Sequence, residues 1–369
     1  MTLHIIITGK NGTCMKKKCL IFFTIGIGDS LMVTPVIEKL KSLPDMQLDA
    51  LTISSQVNDI MQNSGNFGKV HFLNFQKEGL MECLKVIDDV RKEKYDISIL
   101  VFPSNHYKYR IVHFLTGARK RFAISYLDKN FPNLAFLSGR LLKEDRSLHA
   151  IEQNFRLFEF ALKTKIERTY RMSINLNETD RQTAESFIAG KGLENKILVG
   201  LHPGSDILKN MINKRWSAEK YIALIKSYSG NDKIHFLIFG GRSENSLNEE
   251  IRSSSPDNST VVKNVPFFQS AALIERCSAF ICADTGLMHT ASALNIPVIS
   301  IFGPTSSVYT KPLNGGSVVV KKDYPCSPCY EYSRTPLFCD QKEQYKCIKN
   351  ITVNDVKEIL DKKLTTREK

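Results

Sequence analysis

The residues best placed to do chemistry follow apolar runs, in turns marked by glycine. The first is Gly26-Ile27-Gly28-Asp29-Ser30, after CLIFFTI. Glycine lets a backbone turn tightly and approach a ligand. Asp29 and Ser30 stand where a helix is expected to begin, and both types are also favoured as plain N-caps. A dinucleotide fingerprint does not fit. Leu31 replaces the third glycine, and no acidic residue ends the second strand.

The second turn is His202-Pro203-Gly204-Ser205, expected to expose backbone amides. Lys214-Arg215-Trp216 follows, just before a helix that Ser217 can cap. Two cations beside an aromatic suit a phosphate clamp. They equally suit a helix entrance in which Trp216 is a hydrophobic staple. The third turn is Phe239-Gly240-Gly241-Arg242-Ser243-Glu244. Its glycines leave room for a nucleotide. Glu244 fits either a ribose contact or a favourable charge at a helix N-terminus.

The fourth stretch is DTGLMHTASALNIPVISIFGPT, from Asp284 to Thr305. Asp284 ends a strand, and Thr285-Gly286-Leu287 opens a helix whose free amides and positive end suit a diphosphate. Asp284 would repel phosphate and suits ordering the turn or holding a sugar hydroxyl. His289 lies in the first turns of the same helix, where a lone histidine is more often structural than catalytic. Gly303-Pro304-Thr305 shapes the next strand end. Four such turns in two domains describe a site for a nucleotide and a second substrate.

These turns need strands and helices to hold them. The first half reads as βαβαβ: an apolar strand at 19–27, a helix from Leu31, strands at 48–54 and in KVHFLNF, a helix in LMECLKVIDDVRKEK, then the strand YDISILVFP. After a helix at 149–163 and a polar stretch, the alternation resumes at ILVGLHPGS. It runs through IHFLIFGG, AFICAD and PVISIF, with helices between. The closing ITVNDVKEILDKKL is an amphipathic helix that Thr352 can cap. The expected domains are 15–170, 171–350 and a closing helix and tail at 351–369.

The chain has 369 residues, enough for two ordinary domains, and no apolar run reaches the roughly 18–20 residues that span a bilayer. No small-residue cleavage site follows the early apolar run, so a cytoplasmic protein is expected. Residues 1–14 read as a loose extension or an alternative start upstream of Met15. The formal net charge is +13, which favours an anionic partner: nucleic acid, a phosphorylated sugar or an acidic membrane. No nucleic-acid module appears.

GDSLMVTPVIEKLK, HPGS with the later KRW, FGGRSE and the fourth stretch together resemble the ordered motifs of glycosyltransferase family 9, the ADP-heptose:lipopolysaccharide heptosyltransferases. The resemblance runs from about Lys18 to Leu360. It implies the GT-B architecture, two Rossmann-like α/β domains facing across a cleft. The N-terminal domain would take the acceptor and the C-terminal domain the nucleotide sugar. It implies inversion at the anomeric carbon without a catalytic metal. Asp29 would be the general base and Lys214 would stabilise the departing diphosphate, with help from Arg215. Gly28 and Ser30 belong to the acceptor-side motif. His202, Gly204, Ser205, Gly241, Glu244, Asp284, Thr285, Gly286, Leu287 and His289 would form the donor side. The implied partners are ADP-heptose, a lipid-linked oligosaccharide and the anionic inner face of the inner membrane. The rivals are a family 9 transferase for another nucleotide sugar and a sugar-nucleotide epimerase of the same shape.

Four of the nine cysteines cluster late, at Cys326, Cys329, Cys339 and Cys347. A CxxC with two further cysteines has the character of a structural zinc site, and reduced free thiols are the other reading. Cys14 reads as isolated. Cys19, Cys83, Cys277 and Cys282 sit in core-like patterns.

Overall fold

A computed structural model describes residues 16–24, 26–41, 45–75, 77–126, 133–330 and 336–367. The extension 1–14 with Cys14, and Met15, lie outside the described residues. The chain divides into two compact units, Met1–Thr169 and Tyr170–Lys369.

The first unit holds a six-stranded parallel sheet: β1 Lys17–Phe22, β2 Met46–Thr52, β3 Val70–Phe72, β4 Ile97–Leu100, β5 Lys120–Ser125 and β6 Arg140–Lys143. The strand order is β3-β2-β1-β4-β5-β6. Strands covered on both faces read as unbroken apolar runs. Cys19, Leu20, Ile21 and Phe22 of β1 are accordingly fully buried. The second unit repeats the plan with β7 Ile197–His202, β8 Ile234–Ile238, β9 Ser259–Val261, β10 Ala279–Ala283, β11 Val298–Ile301 and β12 Val318–Val320. Its order is β12-β11-β10-β7-β8-β9.

Counted within each unit, the two orders are the same. The first strand is central, between the second and the fourth. The winding therefore reverses between β1 and β4 in one unit and between β7 and β10 in the other. Open α/β sheets bind ligands beyond the strand ends at that reversal. These two doubly wound sheets bear out the expected α/β class with two Rossmann-like folds.

The closing helix, Val353–Arg367, has the expected cap. Thr352 Oγ1 accepts from the Asp355 amide at 3.1 Å, and an Asp355 carboxylate oxygen accepts from the Thr352 amide at 2.8 Å. Val356, Leu360 and Leu364 are buried in the core of the second unit.

Candidate active site

In the second unit, β10 pairs with β7 up to Cys282 opposite His202, so the second and fourth turns leave the sheet side by side. A hydrogen-bonded chain joins them. His202 Nδ1 lies 3.0 Å from Thr285 Oγ1, and its Nε2 lies 3.3 Å from Glu244 Oε2. A carboxylate only accepts, so Nε2 carries the hydrogen and a neutral ring's Nδ1 accepts from the Thr285 hydroxyl. Glu244 also accepts from the Gly241 amide at 2.8 Å, and Arg215 stands 3.9 Å from its other oxygen. Burial works to raise the Glu244 carboxyl, but His202, the Gly241 amide and Arg215 together hold it below the usual carboxylate value.

This network corrects the expectation for His202-Pro203-Gly204-Ser205. The turn does not expose its amides; all four residues are buried. Glu244 lies directly over Gly204, where a Cβ would overlap Oε1. Glycine serves there to admit the protein's own carboxylate. Ser205 is likewise occupied: Oγ donates to the Met211 carbonyl at 2.8 Å and accepts from Arg215 Nε at 3.0 Å.

Trp216 is a staple. It precedes the N-cap Ser217 of helix Ala218–Lys226 and packs edge-on against Tyr221 at 4.9 Å. Its Nε1 donates to the Ile351 carbonyl at 3.0 Å. Ser217 holds the cap position without a side-chain cap bond. With Trp216 anchored in the core, the preceding Lys214 pairs with Asp284, Nζ to Oδ2 at 3.8 Å.

Helix Gly286–Ala293 starts at Thr285, which makes no side-chain cap bond to it. The hydroxyl that would ordinarily cap the helix is turned to His202. The Met288 amide donates to the Thr285 carbonyl at 3.1 Å, and the Gly286 and Leu287 amides are left for an anion, with Lys214 beside the entrance. Asp284, Thr285, Gly286 and Leu287 are partly exposed, whereas Met288, His289, Thr290, Ala291 and Ser292 are buried. His289, taken in the sequence as a candidate contact, is 4% exposed. Burial pushes its imidazole down to about 4, so it is neutral at physiological pH.

In the first unit, Asp29 lies beyond β1. The helix begins three residues earlier than a cap at Asp29 requires. It spans Ile27–Leu31 with Gly26 as N-cap, which puts Asp29 inside the first turn. Its carboxylate folds back over Gly26, where a Cβ would meet Oδ2. Gly28 is buried, and Ser30 is 1% exposed with no hydrogen-bond partner for its Oγ among the described residues. Of this motif, Asp29 is the partly exposed side chain that bears chemistry.

Tyr109 escaped the sequence reading. It lies on helix Tyr107–Leu115 and packs edge-on against Phe22 of β1 at 6.4 Å. Burial, and then the charge of Asp29, raise its hydroxyl above the usual phenol value. The apolar spacing of Tyr107, Ile111 and Phe114 was the available signal for that helix.

Cys326, Cys329, Cys339 and Cys347 line one small cavity in the second unit, together with Tyr345 and Lys346. All four thiols are free. Burial, with the neighbouring thiols, pushes Cys347 up to about 11. As placed, no three His, Cys, Asp or Glu side chains among the described residues are arranged to hold a metal ion. Cys19, Cys83, Cys277 and Cys282 are buried, as their patterns suggest.

Residues 83–336, more than half of the chain, match the family described as Glycosyltransferase family 9 (heptosyltransferase). Over 180 residues the chain is 32% identical to lipooligosaccharide heptosyltransferase 2 of Campylobacter jejuni subsp. jejuni. That match takes in 46% of this chain and 52% of the relative, so the chain spans about half the length of that curated relative. In fold the chain is similar to E. coli ADP-heptose lps heptosyltransferase II, at TM-score 0.73 and 18% identity, covering 95% of this chain and 100% of the other. It is also similar to E. coli heptosyltransferase WaaC with ADP, at TM-score 0.70 and 16% identity, covering 94% and 99%. The match to the family takes in β4 to β12 and every donor-side turn described above, and the chain belongs to glycosyltransferase family 9.

Proposed function

We propose that this protein transfers heptose from ADP-heptose to a lipopolysaccharide core acceptor, with inversion at the anomeric carbon. The observation that carries this reading is the uncapped N-terminus of helix Gly286–Ala293 at the reversal point of the second sheet, with Lys214 at its entrance. A diphosphate is the anion such a site suits best. The family and the names of the relatives support the heptose, and WaaC, of like fold, is known with ADP.

In the proposed reaction the acceptor oxygen attacks the anomeric carbon, and the bond from that carbon to the diphosphate breaks. ADP leaves with the bond's electrons, and Asp29 takes the acceptor's proton. Lys214 and the first-turn amides stabilise the charge that develops on the leaving diphosphate. Asp284, drawn towards Lys214, is placed to hold a sugar hydroxyl. Glu244, buried against Gly204, keeps His202 and Arg215 in position. No metal enters this step.

Transfer of the proton to Asp29 late in the reaction, once bonding to carbon has made the hydroxyl acidic, asks little basicity of the carboxylate. An acceptor built on lipid brings the enzyme to a membrane. Among the described residues no helix is long and apolar enough to cross one, so docking at the anionic surface is the proposed mode.

The test is calorimetric titration with ADP, ADP-heptose, UDP-glucose and GDP-mannose, repeated on Lys214→Ala. Preference for the adenine ligands, weakened about tenfold or more in the variant, is the expected result. Preference for a uridine or guanosine ligand would keep the site and overturn the heptose donor.

A further inference from the structure

The helix Tyr107–Leu115 of the first unit packs against the short 3-10 turn Ala135–Ser138. The outer side of this pair is apolar. Tyr107, Ile111 and Phe114 recur at helical spacing and are 37%, 37% and 46% exposed, and Phe136 on the turn is 64% exposed. On the neighbouring helix Leu80–Lys92, Leu80 and Met81 are about three-quarters exposed at 76% and 74%. Large side chains this open are unusual when they gather on one face.

Along the helix and turn the charge is of one sign, whereas the exposed Glu78 and Glu82 flank Leu80 and Met81. From 105 to 143 the described residues include no aspartate or glutamate. Lys108, Lys120, Arg140 and Lys143 are exposed in this stretch. The guanidinium of Arg121 lies over the Phe114 ring at 5.1 Å and donates to the Leu137 carbonyl at 3.1 Å, so it ties the helix to the turn within the patch.

We propose that this face is where the protein docks on an anionic lipid bilayer, with Ile111, Phe114 and Phe136 entering the headgroup region and the cations meeting lipid phosphates. The inference rests on the membrane-linked acceptor proposed above and gives the docking a place. A lipid surface fits because apolar and aromatic side chains ringed by lysine and arginine are the pattern of interfacial binding. A second copy of the chain fits poorly. A two-fold pairing sets the same patch against itself, and here that brings cations against cations.

The test is co-sedimentation with phosphatidylcholine vesicles with and without phosphatidylglycerol. The wild type is compared with an Ile111→Glu/Phe114→Glu double variant, and ADP titration is run on both. The expected result is binding to the anionic vesicles alone, weakened about tenfold or more in the double variant, with ADP affinity unchanged. A Phe114→Trp variant, quenched by brominated lipid, checks the contact without adding charge. Equal sedimentation of wild type and double variant, or no quenching of Phe114→Trp, overturns the face while membrane docking stands. A wild type that ignores anionic vesicles overturns the docking itself, and retained ADP binding then leaves the transferase reading intact. A wild-type dimer that the double variant converts to monomer would assign the face to self-association instead.

Discussion

His202 and Thr285 are 83 residues apart in sequence and share a hydrogen bond of 3.0 Å at the ends of two paired strands. The bond turns the threonine hydroxyl away from the helix it precedes, and so keeps that helix open to an anion. Thr285→Val retains the shape and removes the hydroxyl. The expected result is ADP binding weakened about three- to tenfold, with Thr285→Ser close to wild type. Isothermal titration of the three proteins measures it. Equal affinity for Val and Ser would show that the bond has no part in holding the anion site.

Gly204 is expected to tolerate no side chain while Glu244 is present. Alanine there places a methyl group where Oε1 now lies, and the carboxylate is also held by His202 and Gly241. Gly204→Ala is expected to destabilise the protein by about 1–3 kcal/mol and to weaken ADP binding. In a Glu244→Ala background the same change removes no buried carboxylate and is expected to cost less. A double-mutant cycle by urea unfolding reads the coupling. Strict additivity would mean that the two residues do not compete for the space.

Asp29 and Lys214 are expected to separate in kinetics. Asp29→Asn removes the proposed base without touching the donor-side network, so kcat should fall by about 10²–10⁴ with ADP affinity unchanged. Lys214→Ala should weaken both ADP binding and turnover, since its charge faces the diphosphate throughout. Steady-state rates and titration on the same preparations make the comparison. An Asp29→Asn enzyme with near-normal kcat would remove Asp29 from proton transfer.

The parts of this molecule legible in the sequence are those with one dominant physical cause. Central parallel strands are buried on both faces, so CLIF, ISIL and AFICA announce themselves as apolar runs. Of the four edge strands only β3, within KVHFLNF, is legible. In β6, Arg140 and Lys143 are exposed, and β9 and β12 have only three residues each, so none of them stands out from loop. The same difference governs the site. Glycine after a strand marks a turn, which located all four motifs. It does not say whether the space is kept for a ligand or for the protein's own side chain. At Gly204 the answer is Glu244, forty residues away in sequence and brought there by the order of the strands.

Acid should destabilise the second unit through histidines that are buried neutral. His235 sits on β8 with Nε2 2.9 Å from Thr260 Oγ1, and burial, then the charge of Lys196, pushes its imidazole down to about 4. In the unfolded chain the ring titrates near 6.5. Between those values the unfolded state binds the extra proton. Stability is therefore full above pH 6.5 and is lost as the pH falls towards 4, by about 3 kcal/mol for this ring. His289 is depressed to about 4 as well and adds a parallel loss. His235 lies apart from the anion site, so His235→Gln should leave ADP binding unchanged and reduce the acid slope of the melting temperature by roughly half. Calorimetric melting across this pH range tests it. A slope as steep as in the wild type would mean that His235 is already protonated in the folded protein, or that its burial yields under acid before the rest of the unit unfolds.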